Sequence, residues 1–92
     1  MRNESLIFHC LSHEYDLDSE DTVFSTQEVK LSVDGEFIAL PLGFKSPNSL
    51  FGQALGRVAK TIGFEVYKKT KVLDDLGRVT STSWFRKKKK VK

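Results

Sequence analysis

The stretch SPNSLFGQALGRVAKTIGF, residues 46–64, constrains the fold more than any other part of the chain. Leu50, Phe51, Ala54, Leu55, Val58, Ala59 and Ile62 recur at the spacing of one helical side, because about 100° per residue gathers these positions on half of a wheel. Ser46 suits the N-cap, Pro47 the first helical position and Gly63 a left-handed stop. An amphipathic helix of this kind must bury a whole side, so the remaining chain has to cover it. The other half carries Ser49, Gly52, Gln53, Gly56, Arg57 and Lys60. Each interior glycine costs a helix about 0.5–1 kcal/mol relative to alanine. Gly52 and Gly56 lie away from the apolar side, so they are expected to allow close approach of DNA, of a protein partner or of another helix of the same domain.

The covering elements are legible on either side. Residues 3–15, NESLIFHCLSHEY, place Leu6, Ile7, Cys10, Leu11 and Tyr15 at helical spacing, with Asn3 or Ser5 as cap. Residues 16–22, DLDSEDT, form an acidic loop. In FSTQEVKLSVDGE, Ser25 and Glu28 make a capping box, Phe24 acts as a staple, and Asp34-Gly35 ends a short second helix containing Val29, Leu31 and Val33. Phe37 to Leu40 reads as a short strand or an apolar connection pinned to the core, broken by Pro41 and Gly43. After the third helix, EVYKKTKVL and RVTSTSWF flank the four-residue loop DDLG. Their β-branched and aromatic residues predict a hairpin. Its expected register sets Leu73 against Arg78, Tyr67 against Trp84 and Val66 against Phe85, with the Tyr67–Trp84 pair anchoring the base to the core. The fold class is α+β: three helices followed by a C-terminal hairpin. Residues 1–86 make one domain, and residues 87–92 make a basic tail without order of its own.

Charge is divided sharply along the chain. Residues 1–44 hold two basic and nine acidic residues, a net −7, whereas residues 45–92 hold thirteen basic and three acidic residues, a net +10. A basic half interleaved with aromatics suits a polyanion.

Three helices and a basic hairpin match the order of a winged helix-turn-helix domain, in which the last helix enters the major groove and the hairpin lies beside it. Residues 44–85, FKSPNSLFGQALGRVAKTIGFEVYKKTKVLDDLGRVTSTSWF, resemble the recognition helix and wing of small winged-helix domains in phage and plasmid replication proteins. The C-terminal domains of phage-type primase-helicases are similar. They run a serine-containing cap, a helix of the type FGxxLxxxGF, basic residues, a glycine turn and a closing aromatic strand. Phe51-Gly52, Leu55, Gly63-Phe64, Lys68-Lys69 and Gly77-Arg78 carry the likeness. The helix is longer than in that pattern, and so is the connection from Phe37 to Lys45.

The expected function is therefore non-enzymatic binding of double-stranded DNA, in replication or transcription control of a mobile element. Gln53 suits adenine and Arg57 suits guanine in the major groove, with Lys60 beside them and Gly52 and Gly56 as close-approach positions. Lys45, Ser46, Asn48 and Ser49 stand at the helix N-terminus, where phosphates bind. Lys68, Lys69, Lys71, Arg78 and Thr80 on the hairpin, then Arg86, Lys87 and Lys88 leading into the tail, are expected on the phosphate backbone. Two other readings stand beside this one. A small viral or phage module would dock on a host nucleic-acid-processing or defence complex, the acidic first half offering a protein contact. An RNA binder would stack bases on Tyr67, Trp84 and Phe85.

No nucleophile elbow or phosphate loop frames the serines, histidines and aspartates, so neither catalysis nor a cofactor is expected. His9, Cys10 and His13 read as a core cysteine with two surface histidines, not as a metal site. Leu6-Ile7-Phe8 is too short an apolar run for a signal peptide or a membrane span. With a single cysteine, Cys10, the chain is expected in the cytoplasm, or in the nucleus in a eukaryotic setting.

Overall fold

A computed structural model describes residues 2–38 and 47–88, with side chains from 4 to 38 and from 50 to 88. The elements run α1 (Arg2–Glu14), β1 (Val23–Ser25), α2 (Thr26–Asp34), α3 (Pro47–Thr61), β2 (Phe64–Leu73) and β3 (Val79–Lys87). The three strands form an antiparallel sheet in the order β1-β3-β2. The α+β class and the three helices agree with the sequence pattern. The order does not: a strand intervenes between the first two helices, so three helices followed by a hairpin is corrected to helix, strand, helix, helix, hairpin. At three residues, β1 is too short to show an alternating pattern, and it exists because β3 offers it a ladder edge.

Local chemistry places β1 and α2 together. Ser25 ends the strand and caps the helix: its hydroxyl accepts from the Glu28 amide at 3.2 Å, and the Glu28 carboxylate accepts from the Ser25 amide at 3.0 Å. This is the expected capping box. Gly35 closes α2 in the left-handed conformation, donating to the Leu31 carbonyl at 2.9 Å. Phe24 does more than a staple would. It pairs with Phe85 across β1 and β3, and its ring centroid lies 5.3 Å from Tyr15, 5.1 Å from Phe64 and 5.3 Å from Phe85. Ile7 and Leu11 from α1, Val29 from α2, and Phe51, Ala54, Leu55, Val58 and Ala59 from α3 complete the core. The apolar side of α3 is buried as its spacing requires, except for the exposed Leu50 at one end and the half-buried Ile62 at the other.

In α2 the packing departs from hydropathy. Leu31 is exposed and Lys30 is buried. The Lys30 ammonium lies 2.7 Å from the Asp34 carboxylate, donates to the Glu36 carbonyl at 3.3 Å and stands 5.8 Å from the Phe51 ring centre. A buried charge persists only with such partners.

The hairpin register is half as expected. Val66 opposes Phe85, but Leu73 opposes Val79 and Trp84 opposes Lys68, with a bulge at Tyr67 between the two registers. The turn therefore spans five residues, 74–78, instead of four. The Asp74 side chain builds it, accepting from the amides of Leu76 at 3.0 Å and Arg78 at 2.8 Å and from the Arg78 guanidinium at 3.1 Å. Gly77 supplies the positive φ of 78° that such a turn needs. The bulge takes up the extra residue, and it moves the Tyr67–Trp84 pair off the core. Phe64 and Phe85 anchor the base instead.

Phe37, at the start of the expected apolar connection, is buried but stands apart from the main apolar cluster and reaches the hairpin tip. Its amide donates to the Asp75 carboxylate and its carbonyl accepts from the Asp75 amide, both at 2.9 Å. The remainder of that connection, 39–46, lies outside the described residues. At the other end β3 continues through Lys87, which pairs with Phe64 and donates its ammonium to the Leu17 carbonyl at 2.9 Å. The sheet thus takes in the first residue of the expected tail; 89–92 lie outside the described residues.

Packing in the aromatic cluster gives a pH dependence. Burial pushes the Tyr15 phenol up to about 12, and the Glu28 carboxylate, Cys10 and the Glu14 carboxylate add to the rise. The folded state thus holds the proton more tightly than the unfolded chain, whose phenol titrates near pH 10. The contribution is complete below pH 10 and is lost as pH rises toward 12. Urea unfolding of the protein and of Tyr15→Phe should therefore show a constant difference up to about pH 9 and a shrinking one above about pH 10.

Candidate nucleic-acid interface

The outward side of α3 presents Gln53, Arg57, Lys60 and Thr61 to solvent. The two glycines on this helix have different surroundings. A Cβ at Gly52 would meet the Thr26 methyl at 3.8 Å, whereas at Gly56 nothing lies within 4 Å. The first glycine faces the start of α2, with room for a methyl group in ordinary contact with Thr26. The second opens a cleft of about 250 Å³ between α3 and the base of the sheet, lined by Gly56, Lys60, Phe64, Glu65, Val66, Phe85 and Lys88. Both alanine replacements fit without a clash. Gly52→Ala and Gly56→Ala are each expected to stabilise the fold by about 0.5–1 kcal/mol, read from urea unfolding midpoints.

The cleft brings together two lysines 28 residues apart in sequence. Lys60 comes from the last turn of α3. Lys88 is held just past β3 by its amide, which donates to the Gly63 carbonyl at 2.8 Å. Among the described residues neither makes an ion pair, and the same holds for Lys69 and Lys71 on β2. All four are exposed.

The other expected contacts are engaged within the fold. The Arg57 guanidinium lies 3.1 Å from the Glu4 carboxylate of α1, although the arginine is half exposed. Arg78 turns back onto Asp74. Arg86 stands 3.6 Å from Glu65 and 5.3 Å from the Tyr67 ring centre. The Lys68 ammonium lies between two rings, 5.4 Å from Tyr67 and 5.5 Å from Trp84, and the Trp84 indole donates to the Thr70 hydroxyl at 2.8 Å. The Lys87 ammonium is held by Leu17, so it serves the fold before any partner. Phe85 is buried, which removes it from the base-stacking set; Tyr67 and Trp84 stay half-buried. Asn48 and Ser49 fall in the first turn of α3, and Lys45 and Ser46 lie outside the described residues.

Sequence reasoning missed Glu4, Asp74 and the cleft floor. Asp74 carried a signal, because an aspartate opening a turn accepts amides two to four residues on. Glu4 and the cleft floor carried none, since both depend on how distant elements pack. On α1, burial pushes the Cys10 thiol up, the Glu14 carboxylate adds to this, and a hydrogen bond with Ser32 opposes it. Among the described residues no group of three histidines, cysteines or carboxylates stands together as a metal site, and no helix is long and apolar enough to cross a membrane. No family model, curated protein or solved structure matches this chain.

Proposed function

We propose that this protein binds double-stranded DNA without enzymatic activity, in the manner of a winged helix-turn-helix domain. The observation that carries the reading is the convergence of Lys60 and Lys88 on the cleft opened by Gly56, with Gln53 and Arg57 on the outward side of the same helix. In this reading α3 lies in the major groove. Lys60 and Lys88 take backbone phosphates, while Lys69 and Lys71 on the hairpin take phosphates farther along. Gln53 and Arg57 read base edges. Arg57 first leaves Glu4, and an exposed pair of this kind holds by only about 0–1 kcal/mol, so the exchange costs little. Replication or transcription control of a mobile element is the setting that the primase-helicase resemblance supports.

Fluorescence anisotropy with a labelled duplex across a salt series tests the proposal. Four lysines on phosphates predict a log–log salt slope of roughly −3 to −4. An absence of binding at low salt would sink the reading. Preferential binding of single-stranded RNA would replace it with the stacking alternative.

A further inference from the structure

The hairpin ends in apolar side chains that the core does not use. Leu73, Leu76 and Val79 are 59%, 65% and 68% exposed. Leu73 and Val79 form the last rung of the ladder and so share a face, with Leu76 in the turn between them. Single exposed leucines are ordinary, but an apolar patch gathered at one point marks an interaction surface.

The tip is also braced. The Asp74 side chain, with no exposure of its own, accepts from two turn amides and the Arg78 guanidinium. Asp75 exchanges two hydrogen bonds with Phe37. The Gln27 side-chain amide donates to the Leu73 carbonyl at 3.1 Å. Leu76 is thus presented by a turn that needs no further ordering, which lowers the entropy lost on binding. Just below the tip, β2 carries the exposed Lys69 and Lys71.

A rigid apolar point on a cationic shaft fits a partner with an anionic surface and a stacked apolar interior. Duplex DNA has both, and apolar wedges set between base steps unstack and kink it. We infer that the hairpin tip, led by Leu76 and backed by Leu73 and Val79, wedges against a base step of the bound duplex and bends it. Lys69 and Lys71 contact the flanking phosphates. The inference rests on the DNA-binding reading and adds a deformation to it, with a preference for easily kinked pyrimidine–purine steps.

The test uses a duplex with 2-aminopurine at a central TA step and a donor–acceptor pair at its ends, titrated with the full chain. Binding is expected to raise the 2-aminopurine emission about twofold or more and to shorten the end-to-end distance. Leu76→Ser should abolish both signals and weaken binding about three- to tenfold with the salt slope unchanged, since no phosphate contact is lost. Leu76→Met should retain both signals, and matching thermal melts would show the variants folded. If the protein binds with neither signal, or Leu76→Ser behaves as the parent does, the wedge is overturned while DNA binding stands. If it binds no duplex, both readings fall. Leu76-dependent binding to phosphatidylserine vesicles in place of duplex would overturn the wedge in favour of a membrane surface.

Discussion

Phe24→Ala is expected to lower the free energy of unfolding by about 3–5 kcal/mol, the range for truncating a buried phenylalanine. Phe24 is the one apolar residue of β1 that is buried, and three aromatic rings close on it. Its removal leaves a cavity bordered by Tyr15, Phe64 and Phe85. It also loosens a three-residue strand whose last residue, Ser25, caps α2. Domains of this kind have about 5–15 kcal/mol in all, so the variant should sit near its unfolding midpoint at modest urea. Val23→Ala is the control, because Val23 belongs to the same strand but is exposed; it should cost less than about 0.5 kcal/mol. Urea unfolding followed by circular dichroism separates the two. A Phe24→Ala cost below about 1 kcal/mol would mean that the aromatic cluster does not organise the core.

The double reversal Lys60→Glu with Lys88→Glu is expected to weaken duplex binding by about a hundredfold or more at low salt and to flatten the salt slope by about two phosphate equivalents. Both side chains are exposed and, among the described residues, make no ion pair. The reversal at Lys60 sets a negative charge in the last turn of α3, so the fold should lose only about 0.3–1 kcal/mol and stay folded under assay conditions. Lys87→Gln gives the contrast. Its ammonium is held by the Leu17 carbonyl, so it should reduce stability more than binding. If the double reversal left affinity intact, the cleft would not be the DNA contact, and the proposed orientation of α3 would be abandoned.

Where neighbours within a turn or two hold the information, the sequence was a good guide. The apolar side of α3, the Ser25–Glu28 box and the stops at Gly35 and Gly63 all follow from local periodicity or local hydrogen bonds. The base register Val66–Phe85 was legible too, although only because the bulge at Tyr67 cancels the extra residue of the turn. The outer register was not. It turned on whether the Asp74 carboxylate would gather a five-residue turn, and on Tyr67 absorbing the surplus residue as a bulge. For the candidate site, residue identities were legible and their states were not. Lys60, Lys88, Lys69 and Lys71 are unpaired among the described residues, whereas Arg57, Arg78 and Lys87 are held by Glu4, Asp74 and Leu17.

The helices, the hairpin, the separation of acidic and basic halves, and the position of both α3 glycines off the apolar side were all readable from residue order. Each of these depends on residue order within an element, a turn or a stretch of chain, not on what packs against it. That β1 joins the sheet, that Lys30 is buried while Leu31 is not, and which glycine faces which neighbour came instead from how distant elements pack. Packing set Gly52 opposite Thr26 and Gly56 at the opening of a cleft. The two have the same residue type and the same helical side; their difference comes from what the rest of the chain places opposite them.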